Sequence, residues 1–256
     1  TYYSKKTIDA LVRAPLAPSL GASTFQWINV GEVSNKGWEA SINATVIESD
    51  AIKWDATISG STNSNELVDL GGQPPIGSQT RFVEGFPLGG QWAEPIKSYN
   101  DANGNGIIEV DELVIGDTIE FLGAGLPEDE IALTSSVTLF DRVRLYGLMD
   151  YKGGYISYNL TERFRCRLSG CRPLIDRSAS LDDQARAVAS LYHPSQSIAG
   201  YLEDGSFWKL REVSATVYLP EAWASAMHAE RGSFTITGRT LKTWTDYTGM
   251  DPELND

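Results

Sequence analysis

The sequence predicts an all-β fold: part of an antiparallel, up-and-down transmembrane β-barrel with long extracellular loops and two short helices. Three observations carry this. Apolar and polar residues alternate with a period of two through most of the 256 residues. The alternating runs are long, about 10–15 residues against a usual strand length of about 5–6. Their apolar sets end in aromatics (Trp38, Trp54, Tyr151, Tyr155, Trp208 and Tyr218), as strands do at the two rims of a membrane barrel. A soluble sandwich also shows one apolar face per sheet, so alternation alone leaves that reading open.

The elements follow in order. Trp38, Ala40, Ile42, Ala44 and Val46 alternate with Glu39, Ser41, Asn43 and Thr45. Asp50-Ala51 breaks the run, and Ile52, Trp54, Ala56 and Ile58 resume it, which reads as a β-hairpin. Val137, Leu139, Val143, Leu145 and Met149 share the face of a second run, broken at Lys152-Gly153-Gly154. Ile156, Tyr158, Leu160, Phe164 and Cys166 then read as its return strand. A third pair runs over Phe207–Leu219 and Ser233–Trp244. One helix starts at Ser180, an N-cap with Asp183 three residues on, and continues to about Tyr192. A short second helix spans Pro220 to about His228.

The turns at Asp50-Ala51 and Lys152–Gly154 belong on one side of the wall, and the long segments 64–134 and 169–205 on the other. This makes about six strands, fewer than the roughly eight with which membrane barrels begin. Two unpaired edges in lipid are not allowed, so the barrel reading makes residues 1–256 an incomplete wall.

Composition narrows the function. Apolar residues make up 41% of the chain and the net charge is −13. So negative a surface repels phosphate backbones and argues against nucleic acid as a partner. No apolar run reaches the ~18 residues of a membrane helix, which leaves strand crossing untouched. The histidines, His193 and His228, are far apart and read as surface residues. No nucleophile elbow, phosphate-binding loop or complete dinucleotide fingerprint occurs, so no enzyme is read here. Glu128-Asp129-Glu130 reads as a solvated acidic run with nothing apolar placed to raise a pKa.

One stretch carries coordination chemistry. Asp101 to Glu112 fits a twelve-residue calcium loop: Asp101, Asn103 and Asn105 at positions 1, 3 and 5, Gly106 at the sharp turn, and the Ile107 carbonyl at 7. Glu109 stands at 9 and Glu112 at 12, as the bidentate carboxylate. Calcium wants six to eight oxygens, and this loop can supply them. The alternative is an Asn/Gly-rich turn with solvated acids. We expect a single structural calcium ion that orders the segment 64–134. The two cysteines, Cys166 and Cys171, are either reduced thiols or a short disulfide loop, and spacing does not choose between them. Arg142, Arg144, Arg163, Arg165 and Arg167 share the polar faces of the second strand pair and are expected to line a lumen. Trp92, Trp208 and Trp244 are placed in or near loops, packing their bases.

Five stretches, in order along nearly the whole chain, resemble the C-terminal part of the SusC/RagA family of TonB-linked outer-membrane transporters. They are Tyr3–Leu11; Asn29–Glu39, which fits N-x-G-x-x-x-N-x-G-[FW]-E; Glu84–Gly89 leading to Tyr99–Gly106; Tyr201–Ser214; and Gly238–Leu241 with Thr243–Glu253. The resemblance implies a barrel wall embedded in outer-membrane lipid of a Gram-negative-type bacterium. It also implies import of a bulky nutrient, a glycan or a peptide, with a SusD-like lipoprotein as lid. The family's plug domain, its TonB-interacting segment and its last strand have no counterpart in residues 1–256. Contact with the TonB complex is therefore expected through a part N-terminal to this chain. The other reading, a secreted calcium-stabilised β-sandwich that binds carbohydrate, requires a second layer over the Trp38/Ile42 face.

Overall fold

The computed structural model describes residues 1–15 and 25–254. Seven long strands pair in chain order into one antiparallel sheet. They are β1 (Tyr2–Pro15), β2 (Phe25–Glu48), β3 (Ile52–Asp69), β4 (Asp129–Leu139), β5 (Val143–Gly153), β6 (Phe207–Tyr218) and β7 (Ser233–Thr245). Each wall strand pairs with its sequence neighbour, the up-and-down meander expected, with β1 and β7 at the two edges.

Three expectations need correction. The run from Val137 to Met149 is two strands, because the chain reverses at Phe140-Asp141. Both residues lie at positive φ (51° and 53°), and Arg142 N–H closes the turn on the Leu139 carbonyl at 2.9 Å. The register leaves three residues, 140–142, between the paired Leu139 and Val143, and the two left-handed ones are built without the Asn-Gly or Gly-Gly that announces such a turn. Lys152–Gly154 is instead where β5 leaves the wall.

Next, Ile156–Arg167 is not a return strand. Only Ile156–Tyr158 is extended, and α1 (Leu160–Ser169) follows. Asn159 caps it, accepting the Glu162 N–H at 3.1 Å. The inward face is Glu162, Arg163 and Cys166, while Phe164 and Leu168 point out. Alternating apolar residues thus mimic a strand, but polar contacts fix this helix. Lastly, the first long excursion spans 70–128 rather than 64–134, since β3 and β4 continue past the predicted ends, and the second spans 154–206 rather than 169–205, since no return strand follows β5. The two expected helices form as α2 (Leu181–Leu191) and α3 (Glu221–Ala226), and Ser180 Oγ caps α2 by accepting the Asp183 N–H at 3.1 Å.

Register places the apolar side chains on one face. Ile42, Ile58, Leu133, Met149 and Leu210 line up across β2–β6. Trp208 pairs with Tyr151 and Trp244 at the upper end, and Val217 with Phe234 at the lower. Trp208 and Trp244 are therefore wall residues, not loop residues. No layer among the described residues covers this face: Trp38 is 62% and Ile42 65% exposed. The sandwich reading therefore finds no support. Each such side chain left in water would forgo about 1.5–3 kcal/mol, so a face this wide belongs against an apolar solvent. The opposite face is polar and self-bonded: Thr57 Oγ1 donates to Asn43 Oδ1 (2.7 Å) and Arg144 Nε to Ser136 Oγ (2.8 Å).

The short connections, 49–51, 140–142 and 219–232, lie at one end of the sheet, and both long excursions leave from the other. The buried apolar clusters lie in those excursions and at the strand ends beneath them. Ile108 and Leu113 pack on Ala185, Val188 and Ala189 of α2. Val33 and Leu67 pack with Leu70, against which Ile76 and Leu88 close.

Candidate functional site

The first excursion folds on short strands. Ile76–Gly77, Thr80–Phe82, Gly90–Ala93 and Glu120–Gly123 form one small sheet, and Ile96–Tyr99 pairs with Leu113–Ile115. The loop 101–112 sits between the last two, and the structure gathers its side-chain oxygens around the loop's own backbone. Asp101 accepts the N–H groups of Asn105 (3.0 Å) and Gly106 (2.8 Å). Asn103 Oδ1 accepts from Asn105 (2.9 Å), and Asn105 Oδ1 from Ile107 (2.7 Å). Glu112 reaches back to the N–H groups of Ala102 (2.8 Å), Asn103 (3.1 Å) and Glu109 (3.1 Å). Glu109 accepts from the Asn103 amide at 3.2 Å. Gly106, at φ 82°, makes the turn where a β-carbon would be strained.

The predicted residues Asp101, Asn103, Asn105, Ile107, Glu109 and Glu112 therefore share one small loop. Among the described residues no three acidic, histidine or cysteine side chains cluster as a metal-holding group. The loop's donors are a mixed set of carboxylate and amide oxygens, hard ligands of the type calcium takes. The other excursion clamps this loop. Gln184 of α2, fully buried, accepts the Ile108 N–H at 2.8 Å. Its amide donates to the carbonyls of Gly106 and Ala179, each at 3.1 Å. The sequence signal was available: a glutamine stands among Leu181, Ala185 and Val188 on an otherwise apolar stripe.

The expected arginine ladder does not form. Arg144 lies on the polar face, but Arg142 is in a turn and Arg163, Arg165 and Arg167 belong to α1. The charge on the polar face centres instead on Lys209 and Arg211 of β6, which sequence reasoning missed. Lys209, 2% exposed, donates to Asp251 (3.0 Å) and Glu253 (2.8 Å). Arg211 forks onto Asp150 (2.8 Å) and Glu253 (2.6 Å). Hydrogen bonds from Arg211, with Lys209 adding to them against a partial desolvation, hold the Glu253 carboxyl down at about 2. The same segment is tied to the second excursion. Tyr155 Oη donates to the Pro252 carbonyl at 2.8 Å, and Thr248 Oγ1 donates to Glu203 Oε1 at 2.8 Å. Burial, with the Glu253 charge next, pushes the Tyr155 phenol up to about 12. Glu128 also departs from expectation: partial burial, then the Asp129 charge, raises it.

Cys166 and Cys171 lie sulfur against sulfur and buried, with Cα atoms 4.1 Å apart. Trp92 packs in a cluster with Phe86 and Phe121, ring centroids 4.8 and 5.4 Å away.

No protein-family model matches the chain. Curated relatives do. A TonB-dependent receptor of Formosa agariphila is 26% identical over 98% of this chain, and a second from that organism is 25% identical over 99%. A third is 31% identical over 43% of it. Along nearly its whole length the chain is similar in sequence to TonB-dependent receptors. It spans 29% and 28% of the length of the first two relatives. The fold agrees: a RagAB peptide importer in a closed–closed state superposes with a TM-score of 0.78, at 19% identity, over 98% of this chain and 30% of that one. A second structure, of the RagAB peptide transporter, gives 0.76 over the same shares. The outer membrane is the location, and the uncovered apolar face is the lipid face.

Proposed function

We propose that this chain supplies barrel wall and outward loops to an outer-membrane importer of a bulky nutrient, a glycan or a peptide. The observation that carries the reading is the asymmetry of the wall. An apolar face lies uncovered, short turns close one end, and two folded excursions rise from the other. That is the form of a lipid-embedded barrel with external loops. Strands beyond β1 and β7 complete the wall, because open edges cannot face lipid. The excursions form the ordered platform on which a SusD-like lipoprotein closes. The TonB complex acts through regions outside this chain. The relatives, transporters and receptors by name, support import over catalysis.

Two finer parts belong to the same proposal. The loop 101–112 holds one structural calcium ion through Asp101, Asn103, Asn105, Glu109, Glu112 and the Ile107 carbonyl. The ion supplies charge neutralisation and ordering, not chemistry. Cys166 and Cys171 form a disulfide, as an oxidising envelope compartment permits. The test is uptake of labelled oligosaccharide and oligopeptide mixtures by cells whose receptor carries a short turn in place of 70–128. Loss of uptake with the receptor still in the outer membrane supports the reading. Undiminished uptake of every oligomer overturns it.

A further inference from the structure

A cavity of about 380 Å³ lies between the small sheet of the first excursion and the strand Ile156–Tyr158 of the second. That is the volume of a small-ligand site. Although 21% of the chain is charged, no charged side chain lines it. Its walls are apolar, from Phe82, Leu88, Leu126 and Ile156. Of its polar side chains, Gln79, Thr80, Gln91, Ser157 and Tyr158, two are more than nine-tenths buried: Gln91 is 8% and Ser157 5% exposed. A buried polar group ordinarily has a partner. Thr80 Oγ1 reaches Gln91 Oε1 at a long 3.4 Å, and Gln91 Nε2 and Ser157 Oγ have no hydrogen-bond partner among the described residues. Neither is sealed like Trp92 Nε1; both open on the cavity. The backbone crowds the same spot. A β-carbon at Gly125 would stand 2.2 Å from the Gly89 carbonyl and 3.0 Å from Gln91 Nε2, so only glycine lets this wall close on the amide.

We propose that this cavity binds an uncharged secondary amide flanked by a small apolar group, resting on the importer reading above and specifying what its loops recognise. A carboxamide such as Gln91 offers one donor edge and one acceptor edge, the complement of an amide. The Ser157 hydroxyl serves either side of it, and the aliphatic walls take the neighbouring apolar group. A charged ligand would be stripped of water there with no counter-charge to meet it. Two sources carry this chemistry: a peptide bond beside an aliphatic side chain, and the acetamido group of an amino sugar.

The experiment is calorimetry on the receptor that carries this chain, purified in detergent. The probes are acetyl-Ala-Leu-Ala-amide, the trimer of N-acetylglucosamine, and maltotriose as the sugar without an amide. One amide probe should bind saturably and maltotriose should not; the probe that binds names the source. Gln91→Leu and Ser157→Ala should each weaken that binding roughly tenfold. Leu126→Trp, which fills the cavity, should abolish it, and heat-modifiable gel migration reports that each variant is folded. Binding of neither amide probe, equal binding of maltotriose, or unchanged affinity in Gln91→Leu and Ser157→Ala overturns the proposal. Undiminished uptake after replacement of 70–128, with amide binding by the intact receptor, counts against the importer reading alone; uptake lost on that replacement, with no amide binding by the intact receptor, counts against this site alone.

Discussion

Gln184 reaches across 76 residues of sequence to accept the backbone N–H of Ile108 at 2.8 Å, and neither residue is more than 2% exposed. The same amide holds the Gly106 carbonyl, so one side chain of the second excursion fixes the C-terminal half of a loop in the first. The two excursions behave as one folded unit above the wall because of this clasp and the Ile108–Val188 packing around it. Gln184→Leu keeps the volume and orphans a buried donor and two carbonyls. It should cost about 2–4 kcal/mol of local stability. Hydrogen exchange should rise in 101–115 and 181–191 while the wall strands stay protected; protection unchanged in both segments would count against the clasp.

The calcium assignment makes a separable claim. The Asp101 and Glu112 carboxylates already order the loop by accepting backbone N–H groups. A bound ion would add stability by mass action, about 2.7 kcal/mol at a hundred times the dissociation constant. Glu112→Gln keeps the Ala102 and Asn103 N–H bonds, loses that from Glu109 and removes the charge, so it should abolish that increment and cost the calcium-free protein only about 1 kcal/mol. Thermal melting of the excursions with and without calcium measures both. A wild-type melt indifferent to calcium sinks the assignment.

How much of this was legible in the sequence depended on what held each element. The strands of the wall were legible because solvent on one side and lipid on the other impose a period of two, seen in Trp38 to Val46 and again from Phe207. The turn at Phe140-Asp141 was not, since register and strand twist force positive φ on residues that do not advertise it. α1 was hidden for the converse reason: its apolar residues alternate, and its burial comes through Asn159, Arg163 and Cys166. The calcium-type loop could be read because its spacing is local. The Lys209–Arg211–Glu253 cluster could not, because its members meet only when the segment after β7 folds back on β6.

Which face meets lipid is open to a direct test. Val213 lies midway along the apolar face of β6, paired with Gly147 and Gly238, and Ser214 faces the other way. Val213→Arg puts a charge near the bilayer midplane and should cost about 2–4 kcal/mol. Ser214→Arg, in the polar interior, should cost far less. Urea unfolding in lipid vesicles, read by tryptophan fluorescence, compares the two. Equal costs, or a larger cost for Ser214→Arg, would reverse the assignment of faces.

The segment after β7 should be pinned only within a window of pH. Glu253 titrates at about 2 in the folded protein, below an ordinary glutamate, because Arg211 and Lys209 hold its charged form. A carboxylate with a depressed folded pKa contributes stability in full above its unfolded value, and loses it as pH falls through that value toward the folded one. The acid limb of the window therefore runs from roughly pH 4.5 down to about 2. Tyr155, raised to about 12 chiefly by burial, sets the alkaline limb with the opposite sign. Its contribution is whole below about pH 10 and drains away as pH climbs toward 12. Exchange protection factors at 246–254, taken against the intrinsic rate at each pH, should stay flat from pH 5 to 10 and fall beyond both ends. In Glu253→Gln the acid limb should vanish, because the amide does not titrate, and the segment should be looser at neutral pH. Tyr155→Phe should shrink the alkaline limb, leaving the share of Lys209, whose ammonium pairs with Asp251 and Glu253, and should leave the acid limb in place. A segment whose protection follows one ordinary carboxylate near pH 4, unaltered by Glu253→Gln, would show that the ion network does not hold it.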